Sequence, residues 1–253
     1  MTYCVLNDPA KPAISYSVMK DFLINSIYRA SEGEGVNIGT SQVFVRFQGC
    51  AVGCLNCDSM DTWDFDPSTV MSLNEVMAAV EYQGRMGSIK RVSITGGDPL
   101  HPKHTPRVLE LAKELKAKGY WINIEAAGTR VVDELFDLID FISFDFKTPS
   151  TGVATNPQLI RRVLEQYGNR SQIKSVIENK ADFSAALMAH QWVLENTDIF
   201  LTPWVLTPAY NLNEEFPQQR FQDIIKWNEE SGAPFRVIGQ QHKWIFGPDK
   251  KQV

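Results

Sequence analysis

No apolar run in this chain approaches the roughly 18 residues that a membrane helix needs, so a membrane span is not expected. The start shows no basic-then-apolar leader, and no internal repeat, low-complexity tract or long linker follows. Cationic charge is not in excess: 25 Lys and Arg face 30 Asp and Glu, a net charge of −5. That balance argues against broad nucleic-acid binding and leaves room only for a local basic pocket that holds an anionic small molecule. Cysteine is scarce. Four in 253 residues, mostly bunched, make no disulfide framework, and a reducing cytoplasm is the expected setting. What the chain does have is 43% hydrophobic content, enough for one sizeable core, so residues 1–253 are expected to form a single domain.

Three of the cysteines, Cys50, Cys54 and Cys57, crowd into one short segment, Gly49-Cys50-Ala51-Val52-Gly53-Cys54-Leu55-Asn56-Cys57-Asp58. Thiolates cost free energy to hold close together unless a metal neutralises them, so the segment reads as a metal-binding loop. A closed zinc site or a self-sufficient iron–sulfur cluster takes four ligands. Only Cys4 remains, 46 residues upstream. Three ligands without an obvious fourth point to a cluster with one open iron. A zinc- or cluster-stabilised interaction protein is the non-enzymatic alternative, with Cys4 or Asp58 as the fourth ligand.

Period and punctuation along the chain predict alternating elements. Strands are expected at Ser41–Phe47, Arg91–Thr95, Tyr120–Glu125, Phe141–Lys147, Gln172–Glu178, Ile199–Thr202 and Phe235–Ile238. Helices are expected at Leu73–Met86, Pro106–Lys118, Val131–Leu138, Asn156–Tyr167, Phe183–Asn196 and Glu214–Glu230. The residues before Ser41 carry no clear pattern. Strand alternating with helix makes a parallel sheet with crossover helices, barrel-like or open, whose sites lie beyond the carboxyl ends of the strands. The cysteines, Gly96-Gly97-Asp98-Pro99, Glu125 and Asp145 with Lys147 all fall at such ends.

The Cys-x3-Cys-x2-Cys loop, followed on the next strand by Gly96-Gly97-Asp98, resembles the radical S-adenosylmethionine (SAM) enzymes. The resemblance implies a shortened partial (β/α) barrel of about six parallel strands and a [4Fe-4S] cluster on Cys50, Cys54 and Cys57. SAM would sit on the open iron, where one electron cleaves its carbon–sulfur bond. A radical-activating enzyme acting on a glycine of a partner protein shares that spacing. The flanks Ser31-Glu32-Gly33-Glu34-Gly35, Phe44-Val45-Arg46-Phe47-Gln48-Gly49-Cys50, Cys57-Asp58-Ser59 and Thr62-Trp63 narrow the resemblance to the 7-carboxy-7-deazaguanine synthases. It runs from about Ile27 to Phe246, leaving residues 1–25 as an N-terminal extension without an assigned role.

That family contracts the ring of 6-carboxy-5,6,7,8-tetrahydropterin, loses ammonia, reuses SAM and employs Mg²⁺. The resemblance places Ser31, Glu32, Gly33, Arg46, Thr95 and Pro248 at the substrate, Arg46 suiting its carboxylate. It places Asn56, Cys57, Asp58, Gly97, Asp145, Phe146 and Lys147 at SAM, and Ser59 at Mg²⁺. Glu32 stands where relatives carry Gln, and Asp98 where the superfamily carries Glu. Glu125 is the candidate for proton transfer. His242, in Gln240-Gln241-His242-Lys243, matches a closing family motif. A flavodoxin or ferredoxin as electron donor and a homodimer are also implied. Seen alone, Gly96–Pro99 is a turn, Asp145–Lys147 a salt bridge, and Glu125 half of a strand-end ion pair.

Overall fold

A computed structural model describes residues 21–66, 70–198 and 202–253. Cys4, and Ile199 to Leu201 of the expected sixth strand, lie outside the described residues. In chain order the elements are β1 (Phe22–Ser31), β2 (Ser41–Phe47), β3 (Val70–Met71), α1 (Leu73–Gln83), β4 (Arg91–Gly96), α2 (Thr105–Ala117), β5 (Trp121–Ala126) and α3 (Asp133–Phe136). They continue as β6 (Phe141–Asp145), α4 (Pro157–Tyr167), β7 (Ser171–Ile177), α5 (Lys180–Asn196), β8 (Trp204–Pro208), α6 (Gln218–Glu230), β9 (Arg236–Val237) and α7 (Gln241–Phe246). Local chemistry marks the ends. Ser72 and Glu75 form a reciprocal capping box on α1, and Asn156 caps α4 ahead of Pro157.

The strands make one sheet in the order β3-β1-β2-β4-β5-β6-β7-β8-β9. From β2 through β9 every neighbouring pair is parallel, while β1 pairs antiparallel with β2, and β3 with β1. The fold is therefore α/β with a mostly parallel sheet, and among the described residues no pairing joins β3 to β9 to close a barrel. Helices α2, α4, α5 and α6 pack on β5, β7, β7 and β8, and α1 covers β1 and β2. Ile94, Ile122, Ile124, Ile142 and Phe144 of the central strands are wholly buried, in one connected cluster that reaches from Phe22 to Phe235. Among the described residues, no helix is long and apolar enough to cross a membrane.

Three departures from the sequence reading have physical causes. Strand β1 carries no alternation because its first residues, Phe22 to Ile24, are buried in succession and the next four are only half covered. Strand β8 is Trp204–Pro208, displaced from the expected Ile199–Thr202, and is buried at every position. Pro203 and Pro208 at its edges mask it, since proline argues against a central strand. Helix α6 starts at Gln218, not Glu214, because Glu214 turns back to grip Arg220 with both oxygens, at 2.9 and 2.8 Å.

Asp182, fully buried at the start of α5, ties the loops after β6 and β7 together. Its carboxylate accepts from the Ser150 N–H (2.9 Å), the Ser150 hydroxyl (2.7 Å) and the Glu178 N–H (2.9 Å). Asp182→Ala strips those donors of their acceptor and is expected to cost about 2–3 kcal/mol, read by denaturant unfolding against Glu195→Ala as an exposed control.

Candidate active site

Behind β2 the chain enters the cysteine loop, and backbone contacts hold that loop in place. The Gly49 carbonyl accepts from the Asp98 N–H (3.0 Å) and from the His104 ring Nε2–H (3.2 Å). Burial pulls His104 down to about 4, so its ring is neutral and one nitrogen keeps the donating hydrogen. A Cβ at residue 97 would strike the Gly49 carbonyl, which is why Gly-Gly is required at the end of β4. Asp98 is buried and turns inward, its Oδ1 accepting from the Leu100 N–H at 3.0 Å. It lines neither cavity described below, so its shortness relative to Glu is spent on the turn.

Cys50, Cys54 and Cys57 are all half-buried. Desolvation pushes the Cys50 and Cys54 thiols up, so a metal must favour the thiolates before they can ligate. Two donors already face the sulfurs: the Val52 N–H to Cys50 Sγ and the Trp63 indole N–H to Cys57 Sγ, both at 3.4 Å. Among the described residues, no three His, Cys, Asp or Glu side chains converge on one ion position. A cluster asks for no such convergence, because each thiolate takes a separate iron, and the half-exposed loop with N–H donors at its sulfurs fits one. Asp58 is committed elsewhere, to Lys243 at 3.1 Å and to the Ser59 hydroxyl at 3.0 Å.

Two adjoining hollows open at the carboxyl ends of β2 and β4 to β7 and share Cys57, Asp58, Asp145, Lys147 and Lys174 as walls. The first, about 280 Å³, is lined by Ser31, Glu32, Gly33, Arg46, Cys50, Ser59, Thr95, Gly97, Glu125 and Pro248. The second, about 590 Å³, is lined by Cys54, Asn56 and Phe146, with Thr151, Glu178 and Tyr210. The structure thus brings every site residue expected from the sequence to one or both hollows. Leading into α7, the Gln241 N–H donates to the Gly33 carbonyl at 2.8 Å. His242 stands so close over Gly33 that a Cβ there would meet its ring.

Charge in the first hollow is divided. On the cysteine side, Arg46 donates to the Tyr28 hydroxyl (3.0 Å) and to the Ser59 hydroxyl (3.4 Å). Its Nε is buried without a partner, and no carboxylate among the described residues lies within ion-pair distance of the guanidinium. A cation with an unused donor on a cavity wall is a place for an anion. On the opposite side, the Lys174 ammonium sits 2.9 Å from Glu34, 3.1 Å from Glu125 and 4.0 Å from Asp145. Burial opposes its charge, yet Glu125, Glu34 and Asp145 together hold it well above the usual lysine range. Burial likewise opposes the Glu34 charge, but Lys174, His242 and the Gln240 amide (2.7 Å) keep that carboxyl below the usual range. Asn123 donates to Glu125 at 2.8 Å, and Lys147 pairs with Asp145 at 2.6 Å.

Sequence reasoning assigned no role to Lys174, Glu34, Tyr28 or Lys243, all of which line the first hollow. A lysine inside the buried strand Ser171–Ile177 was the available signal, since charged side chains enter a core only with partners. Lys174→Met leaves the half-buried Glu34 and Glu125 without their cation and is expected to destabilise the fold by about 1–3 kcal/mol. The sign follows from Glu34, whose depressed folded pKa contributes stability above the unfolded carboxylate range that is lost on acidification. Denaturant unfolding between pH 2 and 7 should therefore show the gap between wild type and variant widening up to the unfolded carboxylate range and levelling off above it.

Residues 44–186 match the radical SAM superfamily. The 7-carboxy-7-deazaguanine synthase of Koribacter versatilis (strain Ellin345) is 29% identical over 238 residues, covering 91% of this chain and 99% of that protein. The 7-carboxy-7-deazaguanine synthase of Methanospirillum hungatei JF-1 is 30% identical over 241 residues, covering 94% of this chain and 90% of that protein. Among solved structures, QueE from Escherichia coli superimposes with a TM-score of 0.63 at 21% identity, over 90% of this chain and 100% of that one, a likeness of fold. With the family match spanning more than half the chain and full-length relatives at this identity, the chain belongs to the radical SAM superfamily and, within it, to the 7-carboxy-7-deazaguanine synthases.

Proposed function

We propose that the protein converts 6-carboxy-5,6,7,8-tetrahydropterin to 7-carboxy-7-deazaguanine with loss of ammonia, using SAM catalytically. One observation carries this reading beyond family membership: the Arg46 guanidinium, unpaired by any described carboxylate, faces the same small cavity as Cys50 and Cys57. A carboxylated substrate seated there meets a planar two-pronged donor on one side. On its other side the Glu34 and Glu125 oxygens accept from ring N–H groups, with Lys174 balancing their charge. Cys50, Cys54 and Cys57 hold the [4Fe-4S] cluster, and Asn56, Asp58, Gly97, Asp145, Phe146 and Lys147 contact SAM. When bound, cluster and SAM would supply one-electron radical chemistry beside this wall.

Glu125, within reach of both Lys174 and the cavity, is assigned the proton moved during rearrangement. Ser31, Glu32, Gly33, Thr95 and Pro248 complete the wall around the pterin. Ser59 offers Mg²⁺ a hydroxyl, an oxygen ligand of the kind that cation takes. The reaction needs a reductant of the flavodoxin or ferredoxin type, the setting is cytoplasmic, and the working form is a homodimer.

The test is anaerobic reconstitution, then incubation with carboxytetrahydropterin, SAM, Mg²⁺ and a reductant. Ammonia should appear with ring-contracted product and without net loss of SAM. A colourless protein whose spectrum ignores SAM, or a reconstituted one that makes no such product, would sink the reading. Arg46→Ala should raise KM at least tenfold, the loss of about 1.5–3 kcal/mol from a charge-assisted bond, while SAM still perturbs the cluster's paramagnetic resonance.

A further inference from the structure

Glu32, Glu34 and Glu125 crowd one side of the first cavity, and one ammonium pairs with two of them. Glu34 and Glu125 both reach Lys174, at 2.9 and 3.1 Å. Glu32 reaches none: no described Lys, Arg or His nitrogen lies within ion-pair distance of it, and the residue is only 8% exposed. Its oxygens are held instead by two neutral donors. The Gln42 side-chain amide donates to Oε2 at 2.7 Å, and the Glu34 backbone N–H donates to Oε1 at 3.2 Å. The Gln42 amide is itself oriented, because Arg91 Nε donates to its oxygen at 3.2 Å and leaves the NH₂ end for Glu32. An ionised Glu32 would be a desolvated anion beside two others, with nothing but dipoles of its own. A neutral carboxyl keeps both acceptor contacts and gains a donor.

We propose that Glu32 works as a neutral carboxylic acid, accepting from Gln42 and the Glu34 amide while donating its O–H to an acceptor atom of the bound substrate. The role rests on the pterin reading given above, in which carbonyl oxygens and ring nitrogens supply such acceptors. It makes Glu32 a hydrogen-bond donor, as an amide would be, at a position where an ordinary carboxylate only accepts. Groups facing it from the packed elements act in both directions, and those that favour the neutral form prevail. Desolvation comes first, and the Glu125 carboxylate of β5 and then that of Glu34 push the Glu32 pKa up. Lys174 of β7 and the Gln42 bond pull it back, to about 7. Tyr28 of β1 and Arg91 of β4 also feel its charge, and His242 of α7 stands over neighbouring Gly33. Because the folded pKa lies above the unfolded one, the neutral form stabilises the fold at low pH, and that contribution is lost as pH rises through about 7.

The decisive measurement is anaerobic equilibrium binding of carboxytetrahydropterin to cluster-loaded protein with SAM and no reductant, from pH 6 to 9. Wild-type affinity should fall above about pH 7, approaching tenfold per pH unit, as one proton is required for binding. Glu32→Gln, which donates without titrating, should lose that dependence and bind more tightly than wild type at pH 9. In parallel, the thermal midpoint of Glu32→Gln relative to wild type should climb from about pH 4.5 to about pH 7 and level off above it. A wild-type affinity flat across the range, an equal slope in the variant, or a thermal difference independent of pH would each overturn the proposal. Failure of the pterin reading looks different: wild type then binds no pterin at any pH.

Discussion

The Lys174 ammonium is the interaction on which this site depends. It rises from β7 into a cavity with at least three carboxylates in reach, and its side chain is 13% exposed. A pocket for a polar heterocycle needs acceptors on its walls, and acceptors withdrawn from water repel one another unless a cation sits among them. Glu34 comes from the loop after β1, Glu125 from β5 and Asp145 from β6, so one buried charge fastens three separate segments. The carboxyl that this ammonium does not contact, Glu32, has a different electrostatic fate from its neighbours.

The other half of the site is organised by backbone rather than by charge. The cysteine loop leans on the end of β4 through the Gly49 carbonyl, which accepts from Asp98 and His104, and the missing Cβ of Gly97 permits the approach. On its far side the Leu55 N–H donates to the Thr151 carbonyl at 2.9 Å, fixing the loop to the segment after β6. The cysteines are thus carried on a loop that hydrogen bonds fasten to the sheet on one side and to the segment after β6 on the other. Between these two supports, Arg46 and Lys174 face one hollow from opposite sides with opposite tasks: one is left unpaired for an anion, the other is saturated by anions of the protein itself.

Much of this was legible in the chain. The alternation of strands and helices from Ser41 to Asn196 is clear because each parallel strand is a short β-branched or aromatic run and each helix is marked by Ser72, Gly119, Asn156 or similar punctuation. The cysteine loop, the glycine pair and the strand-end polar groups were visible as motifs, and they meet in space because parallel strands point the same ends at one rim. Strands β1 and β8 were hidden, the first by a burial pattern without alternation, the second by its flanking prolines. Lys174 was hidden too, since a lysine within a strand reads as a solvent-facing position until its neighbours are known.

By itself, the order of residues determined which chemistry is present: three thiols without a near fourth, a glycine pair on the next strand, an arginine just before the cysteines, and acids at the strand ends. Those are properties of residue type and local spacing, which survive in the unfolded chain. Tertiary structure alone decided how the charges were shared. Whether a carboxylate meets an ammonium, as Glu34 and Glu125 do, or two neutral amides, as Glu32 does, depends on groups as much as 140 residues apart, such as Lys174 and Glu34. Ionisation follows from desolvation and from charges a few ångströms away, and those distances exist only once the sheet has formed.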